Sequence, residues 1–332
     1  MGDQATRAAG ADARELERYR VELTGYCYRM LGAADAEDAV QEAMLRAWRS
    51  LDRFEGRSQL RSWLYRIATN VCLDMLDGRK RRAMPMDLGP AGAPEVANLN
   101  PLPEAEWIQP MPDAMVLPEA DPAEAAVARE TVRVAFVAAL QVLPPRQRAA
   151  LILCEVLRWS AQEAAELLET SVASVNSALQ RARATLAARD LDRDAAAPDP
   201  AAADAELLAR YVAAFEGYDL DALTELIHED AIQSMPPFGL WLRGRDDMFT
   251  WWWGPGIGCR GSRVLPAGTA NGLPAFAQYK PAADGEGYEP WALQLVRTEG
   301  GGIAELTFFL EVQTLFPLFG MPLRLDRDGR PA

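Results

Sequence analysis

Residues 83–123 carry seven Asp or Glu and no Lys or Arg, and Pro, Gly and Ala crowd the same stretch. Neither an amphipathic helix nor an alternating strand continues through such a segment, so the chain is expected to fold as separate bodies on either side of it. A length of 332 residues agrees, pointing to two or three domains. Half the residues are apolar and a quarter charged, enough for each body to bury its own core.

The overall charge of −14 argues against a nucleic-acid binder until it is divided along the chain. Residues 1–82 sum to +2 and residues 124–190 to +1, while residues 83–123 hold −7 and residues 191–332 hold −10. The acid is confined to the linker and the C-terminal part, leaving two helical segments free to meet DNA. No run of eighteen apolar residues exists and the polar start, Met1 to Asp12, has no signal-peptide core, so a cytoplasmic chain without membrane partners is expected. Four scattered cysteines and a single histidine, His228, leave too few ligands for a structural zinc, so the cysteines are read as reduced core residues and no metal or cofactor is expected.

Residues 13–82 read as successive helices. Asp35 and Asp38 look like a capping box opening a helix that buries Val40, Ala43, Met44, Ala47, Trp48 and Leu51 and exposes Asp38, Gln41, Glu42 and Arg46. The next helix buries Leu60, Trp63, Leu64, Ile67, Ala68, Val71 and Met75, shows Arg61, Tyr65, Arg66, Thr69 and Asn70, and ends in Arg79-Lys80-Arg81-Arg82. Cations and amides beside aromatic rings suit single-stranded DNA, although a basic helix end serves the helix dipole equally well.

Residues 124–190 carry a stronger pattern. Pro144-Pro145 opens a helix, Ser160 with Glu163 makes a capping box for a short helix from Ala161 to Leu168, and Thr170-Ser171 makes the turn. A longer helix then buries Val172, Val175, Leu179, Ala182 and Leu186. This is helix-turn-helix, whose second helix enters the major groove. Its other face offers Ser174, Asn176, Ser177, Gln180, Arg181 and Arg183, where amides match adenine and guanidinium matches guanine. After a second spacer, residues 190–203, two helices and then alternating strands follow, broken by Gly-rich turns. Trp291, Leu293 and Leu295 are expected to alternate with outward residues, as are Ile303, Glu305, Thr307 and Phe309.

Two helical modules flanking an acidic linker resemble the extracytoplasmic-function sigma factors of the sigma-70 family. The resemblance rests on Asp35 to Glu42 (DAEDAVQE), Phe54 to Ser58 (FEGRS), Trp63 to Asn70 (WLYRIATN), Leu143 to Arg148 (LPPRQR) and Ser174 to Arg183 (SVNSALQRAR). It implies a promoter-specific initiation factor, not an enzyme, partnered with promoter DNA and core RNA polymerase through its β′ clamp helices and β subunit. Asp38, Gln41 and Glu42 would dock on the clamp. Phe54, Arg57, Ser58, Arg61 and Asn70 would capture a base flipped from the melted −10 element, and the helix from Val172 would read the −35 element. The linker would thread toward the polymerase active-site channel, its lack of base consistent with mimicry of nucleic acid.

Residues 204–325 resemble a SnoaL-like domain, an α+β cone of helices in a curved sheet, which implies a built-in regulator. The fold expected is therefore multidomain: region 2 (residues 13–82), linker (83–123), region 4 helix-turn-helix (124–190) and cone (204–325). Two rivals remain, a helix-turn-helix regulator with a ligand in its cone, and an enzyme using the cone. His228, Glu229 and Asp230 would be the enzyme's acid–base cluster, or simply a helix end. Trp241 and Trp251-Trp252-Trp253 would line a pocket or belong to a core.

Overall fold

The computed structural model describes residues 14–32, 35–51, 54, 59–78, 81–101, 107–118, 129, 131–187 and 203–332. The chain forms two units, residues 1–82 with 113–193, and residues 83–112 with 194–332.

Among the described residues the first unit is built of helices and their connections. Helices α1 (Arg20–Leu31), α2 (Asp35–Ser50) and α3 (Leu60–Leu76) pack around Leu23, Tyr26, Met30, Val40, Met44, Leu64 and Val71. Helices α4 (Val134–Leu140), α5 (Pro145–Leu151), α6 (Ala161–Leu167) and α7 (Val172–Ala187) form the second group. Pro145 occupies the first turn of α5, where a missing N–H costs nothing. Asp35, expected to open a capping box, is the first residue of α2 rather than the residue before it. Asp35 lies inside the first turn of α2, and its carboxylate accepts 2.5 Å from Arg82, which also donates 2.9 Å to the carbonyl of Leu31. The last residue of the basic run thus closes the helical trio on itself.

Two buried guanidiniums join the two helical groups. Arg148 of α5, 4% exposed, donates to the carbonyl of Met30 on α1, to Gln141 Oε1 (2.6 Å) and to the carbonyls of Gln141 (3.0 Å) and Leu143 (3.1 Å). Arg29 of α1 donates to the carbonyl (3.1 Å) and hydroxyl (2.7 Å) of Thr131, and Gln141 Nε2 returns a bond to the carbonyl of Arg29 (3.2 Å). Burial pulls both guanidiniums down to about 10, so both remain charged at neutral pH. The ring of Trp159 lies 5.1 Å from that of Tyr65 on α3.

The second unit is an α+β domain. Helices α8 (Ala203–Gly217) and α9 (Leu220–Leu226) precede β1 (Ile227–Ser234), β2 (Trp241–Arg243) and α10 (Arg245–Trp253). A long meander follows, β3 (Arg263–Ala270), β4 (Leu273–Pro281), β5 (Tyr288–Glu299) and β6 (Gly302–Phe309), and then α11 (Val312–Leu318). The sheet runs β2-β1-β6-β5-β4-β3, with β1 and β6 parallel and the other neighbours antiparallel.

Its inner face, with Phe276, Ala292, Val296, Leu306 and Phe308, packs on Tyr211, Phe215, Trp251 and Trp252 from the helices. The simple in-and-out alternation expected for β5 and β6 does not hold, because the opposite face is covered too. Leu293 pairs with Phe309 there, and Phe316 of α11 stacks edge-on to Tyr279 at 5.1 Å.

The acidic, Pro-rich stretch is partly built into this second unit. Gly92 N–H donates 2.9 Å to the carbonyl of Trp241, whose indole N–H donates 2.9 Å to the carbonyl of Gly89. Leu99 packs on the cone core, and Pro101 bridges to Phe238. Farther on, Met111 N–H donates 3.0 Å to Asn271 Oδ1 and Pro112 bridges to Ala270. The segment therefore touches both the β2 edge of the sheet and the β3–β4 turn at the other edge. A short turn of helix, Asp113–Val116, returns to the first unit, where a Cβ on Gly25 of α1 would lie 2.4 Å from the carbonyl of Val116.

Replacing Arg148 with Met removes a guanidinium that satisfies three buried carbonyls and a side-chain amide. Unfolding of the first unit should then become easier by about 3 kcal/mol, given that each stranded acceptor costs about 1–3 kcal/mol. The check is a urea titration, in which the midpoint should fall with little change in slope. An unmoved midpoint would show that the guanidinium does not hold the helical groups together.

Candidate nucleic-acid and polymerase interface

On α2 the exposed stripe comprises Asp38, Gln41, Leu45 and Trp48, with Glu42 half-exposed and accepting 2.7 Å from Arg46 Nε. Trp48, expected in the core, is 60% exposed, and Leu45 is 48% exposed. At about 100° per residue, Trp48 stands about 80° around the helix from Val40, next to Gln41 rather than within the buried face. The stripe is thus acidic and amide at one end and apolar at the other.

Helix α3 presents fewer DNA-facing groups than its sequence advertises. Tyr65 and Thr69, expected outside, are buried. Helix α1 supplies polar partners for both: Tyr26 shares a 2.7 Å hydrogen bond with Thr69, and Tyr65 donates 2.9 Å to Glu22. Burial pushes both phenols well above their ordinary range. Arg61 also turns to Glu22, donating 2.7 Å from Nε, and lies over the rings of Tyr65 (5.4 Å) and Trp159 (5.5 Å). Burial opposes its charge, but the Glu22 carboxylate outweighs that and raises its pKa.

Asn70 is exposed, and it lines a cavity of about 330 Å³ with Arg46, Arg49, Ser50, Trp63 and Ile67. Phe54 is half-buried with its ring 5.0 Å from that of Trp63, while Arg57 and Ser58 lie outside the described residues. Sequence reasoning missed Arg46, Arg49 and Trp63 as members of this group. The signal was present in the three-residue spacing of the two arginines, which puts both on one side of the end of α2.

The helix-turn-helix forms as its local signals dictate. Glu163 N–H donates 3.2 Å to Ser160 Oγ, and the Glu163 carboxylate accepts from the Ser160 hydroxyl (2.7 Å) and N–H (2.8 Å), which together hold that carboxyl below its ordinary value. Glu169 takes the left-handed conformation (φ 51°) in the turn, and Ser171 Oγ accepts from Ser174 N–H at 3.1 Å to start α7. Val175, Leu179, Ala182 and Leu186 are buried. Ser174, Asn176, Gln180, Arg181 and Arg183 are exposed and Ser177 is half-buried. Arg181 donates 2.6 Å to Ser177, and Arg183 pairs with Glu155.

The cone offers no comparable reaction centre. His228, Glu229 and Asp230 stand on β1, not at a helix end, and the two carboxylates point to solvent beside a bulge in the β1–β6 pairing. Trp252 meets Phe215 edge-on at 5.4 Å and Trp253 lies 4.8 Å from Tyr218, so the Trp triplet builds core. Its buried polar groups are joined in a chain in which Tyr211 donates to Gln294 (2.9 Å), Gln294 to Gln278 (2.9 Å) and Gln278 to Ser262 (3.0 Å). Among the described residues no group of His, Cys, Asp and Glu is placed to hold a metal, and no helix is long and apolar enough to cross a membrane.

Comparison with known proteins decides the family. Residues 16–82 match Sigma-70 region 2, residues 133–186 match Sigma-70 region 4, and residues 208–306 match the SnoaL-like domain. The chain is 44% identical over 326 residues to the ECF RNA polymerase sigma factor SigG of Mycobacterium tuberculosis, covering 96% of this chain and 86% of that one. It belongs to the extracytoplasmic-function sigma factors.

The crystal structure of the Mycobacterium tuberculosis sigma factor SigJ matches at TM-score 0.56 and 26% identity, over 94% of this chain and 99% of that one. The ECF RNA polymerase sigma-E factor of Escherichia coli K12 is 30% identical over 166 residues, half of this chain and 79% of that one. This sigma factor directs RNA polymerase to promoters and is not an enzyme, so its interface residues act by binding. Helices α1–α3 are region 2, α4–α7 are region 4, and the cone is the SnoaL-like domain.

Proposed function

We propose that the α2 stripe is the polymerase-docking surface, that the cavity beside Asn70 receives a base from the −10 element, and that α7 reads the −35 element. Asp38, Gln41 and Glu42 present acceptors and an amide to the β′ clamp helices. Leu45 and Trp48 extend the same stripe with the aromatic and aliphatic area that dominates docking energy in protein interfaces. The observation that carries the DNA assignment is the cavity itself. An amide at its rim, an indole in its wall and two guanidiniums beside it are what an unstacked base and its phosphate require. The β-subunit contact of region 4 follows from the family likeness.

In the free protein Arg61 is committed to Glu22, so its expected role at the −10 element requires that pair to open. On α7 the groups free to meet base edges are Ser174, Asn176, Gln180 and Arg181 once its bond to Ser177 is exchanged for guanine.

Reading both elements at once requires the first unit to open. Elements named −10 and −35 are centred about 25 base pairs apart, or about 85 Å of duplex at 3.4 Å per pair. A compact body of about 160 residues has a diameter of about 40 Å. The Arg148 and Arg29 contacts that join regions 2 and 4 must therefore part on the promoter. We read the C-terminal domain as a regulator acting by contact, a reading carried by the family likeness and by the use of the Trp triplet as core.

Asn70→Ala should reduce promoter melting, read as permanganate reactivity, by about tenfold, a loss in line with one stacked base, while binding to core polymerase is unchanged. Normal melting would remove Asn70 from the −10 site. Arg181→Ala should weaken the −35 contact by about 1–3 kcal/mol and relax selectivity at one base position. Unaltered promoter selectivity in a competition assay would show that α7 faces DNA differently.

A further inference from the structure

Cys27 on α1 and Cys72 on α3 are free thiols, both fully buried. Helices α1 and α3 run side by side in the same direction, because Glu22 meets Tyr65 and, four residues farther along each, Tyr26 meets Thr69. Cys27 follows Tyr26 and Cys72 lies three residues beyond Thr69, and in that register the two thiols interact with each other. The other two cysteines, Cys154 and Cys259, are only half-buried and lie in region 4 and in the cone.

The pair sits at the joint between regions 2 and 4. Helix α5 packs against both α1 and α3. Burial pushes the Cys72 thiol well above its ordinary range and the Cys27 thiol adds to the rise, while the positive charge of Arg148 on α5 opposes them. A thiol that neither ionises nor meets water is inert toward oxidants. That protection depends on α5, whose departure brings water to the α1–α3 contact. Asn70, at the rim of the proposed base cavity, stands two residues before Cys72 on α3.

We propose that Cys27 and Cys72 are a peroxide-sensitive dithiol, shielded in the free protein and oxidisable to a disulfide once region 4 leaves region 2, and that the bond, tying α1 to α3 beside Asn70, lowers promoter melting. This rests on the parting of regions 2 and 4 proposed above and adds the chemical group that the parting uncovers. The Cys72 thiolate attacks one peroxide oxygen, giving a sulfenic acid and hydroxide, which takes up the proton lost by the thiol and becomes water. The Cys27 thiol then attacks the sulfenic sulfur, and the hydroxyl group leaves with the Cys27 proton as a second water. The two thiols lose two electrons and one hydrogen peroxide gains them.

The test uses the full chain with Cys154→Ser and Cys259→Ser, so that Cys27 and Cys72 are its only thiols. Hydrogen peroxide is applied to the free protein, to the same protein carrying Arg148→Met, and to its complex with core polymerase on genomic fragments. Crosslinked Cys27 and Cys72 peptides are then counted by mass spectrometry. The link should form at least tenfold faster in the variant and in the complex than in the free parent. Cys27→Ala should leave Cys72 as a sulfenic acid that dimedone traps. Oxidised Arg148→Met protein, freed of peroxide before core polymerase is added, should melt promoter DNA several-fold less than the same protein after reduction. A link that forms equally fast in all three states, or in none, would overturn the proposal, as would equal melting by oxidised and reduced protein. A faster link in Arg148→Met but not in the polymerase complex would instead overturn the parting of regions 2 and 4 on which the proposal rests.

Discussion

The charged side chain of Arg148 holds together regions 2 and 4, which the proposed reading of the promoter requires to be apart. It reaches from α5 to a carbonyl of α1 and satisfies Gln141 and Leu143 on the way. Removing a guanidinium from water is costly, and here the cost is offset by the buried carbonyls and side-chain amide that it meets. Such a contact favours one arrangement strongly while all its bonds are made. It gives little once the helices separate and water returns, which suits an element with a closed and an open state.

In the closed state several side chains that read as DNA ligands are occupied, and of these contacts the one between Arg61 and the Trp159 ring crosses from region 2 to region 4. Arg61 faces Glu22 and the Trp159 ring, Arg183 faces Glu155, and Arg181 faces Ser177. Each is a weak or exchangeable partner that a phosphate or a base edge can replace. The cavity beside Asn70 is open in the same state, so the base site we propose there needs no reshaping of its own before DNA arrives.

What could be read from the sequence follows the range of the forces involved. The helix-turn-helix was legible because its signals are local, a capping box at Ser160 and Glu163 and a stripe from Val175 to Leu186. The burial of Tyr65 and Thr69 was not, because it depends on Glu22 and Tyr26, some forty residues away on α1. Trp48 looked like core by type, and only its angle around α2 exposes it. Residues 83–112 have the composition of a free linker, yet Gly89, Gly92, Pro101 and Pro112 make hydrogen bonds and bridges to the cone. In the cavity proposed as the −10 site, Asn70 was legible from the resemblance, whereas Arg46, Arg49 and Trp63 needed the crossing of α2 and α3 to bring them together.

Initiation as proposed requires regions 2 and 4 to be joined in the free protein and parted on the promoter. Fluorophores on Glu37→Cys of α2 and Ala187→Cys of α7, both exposed positions, report this distance by single-molecule energy transfer in a Cys154→Ser, Cys259→Ser background. The free protein should give one narrow population at a separation of no more than about 40 Å, the width of so small a body. Adding core polymerase and promoter DNA should lengthen it by tens of ångströms, toward the about 85 Å between the two elements. A distance that stays short in an initiating complex would contradict the account.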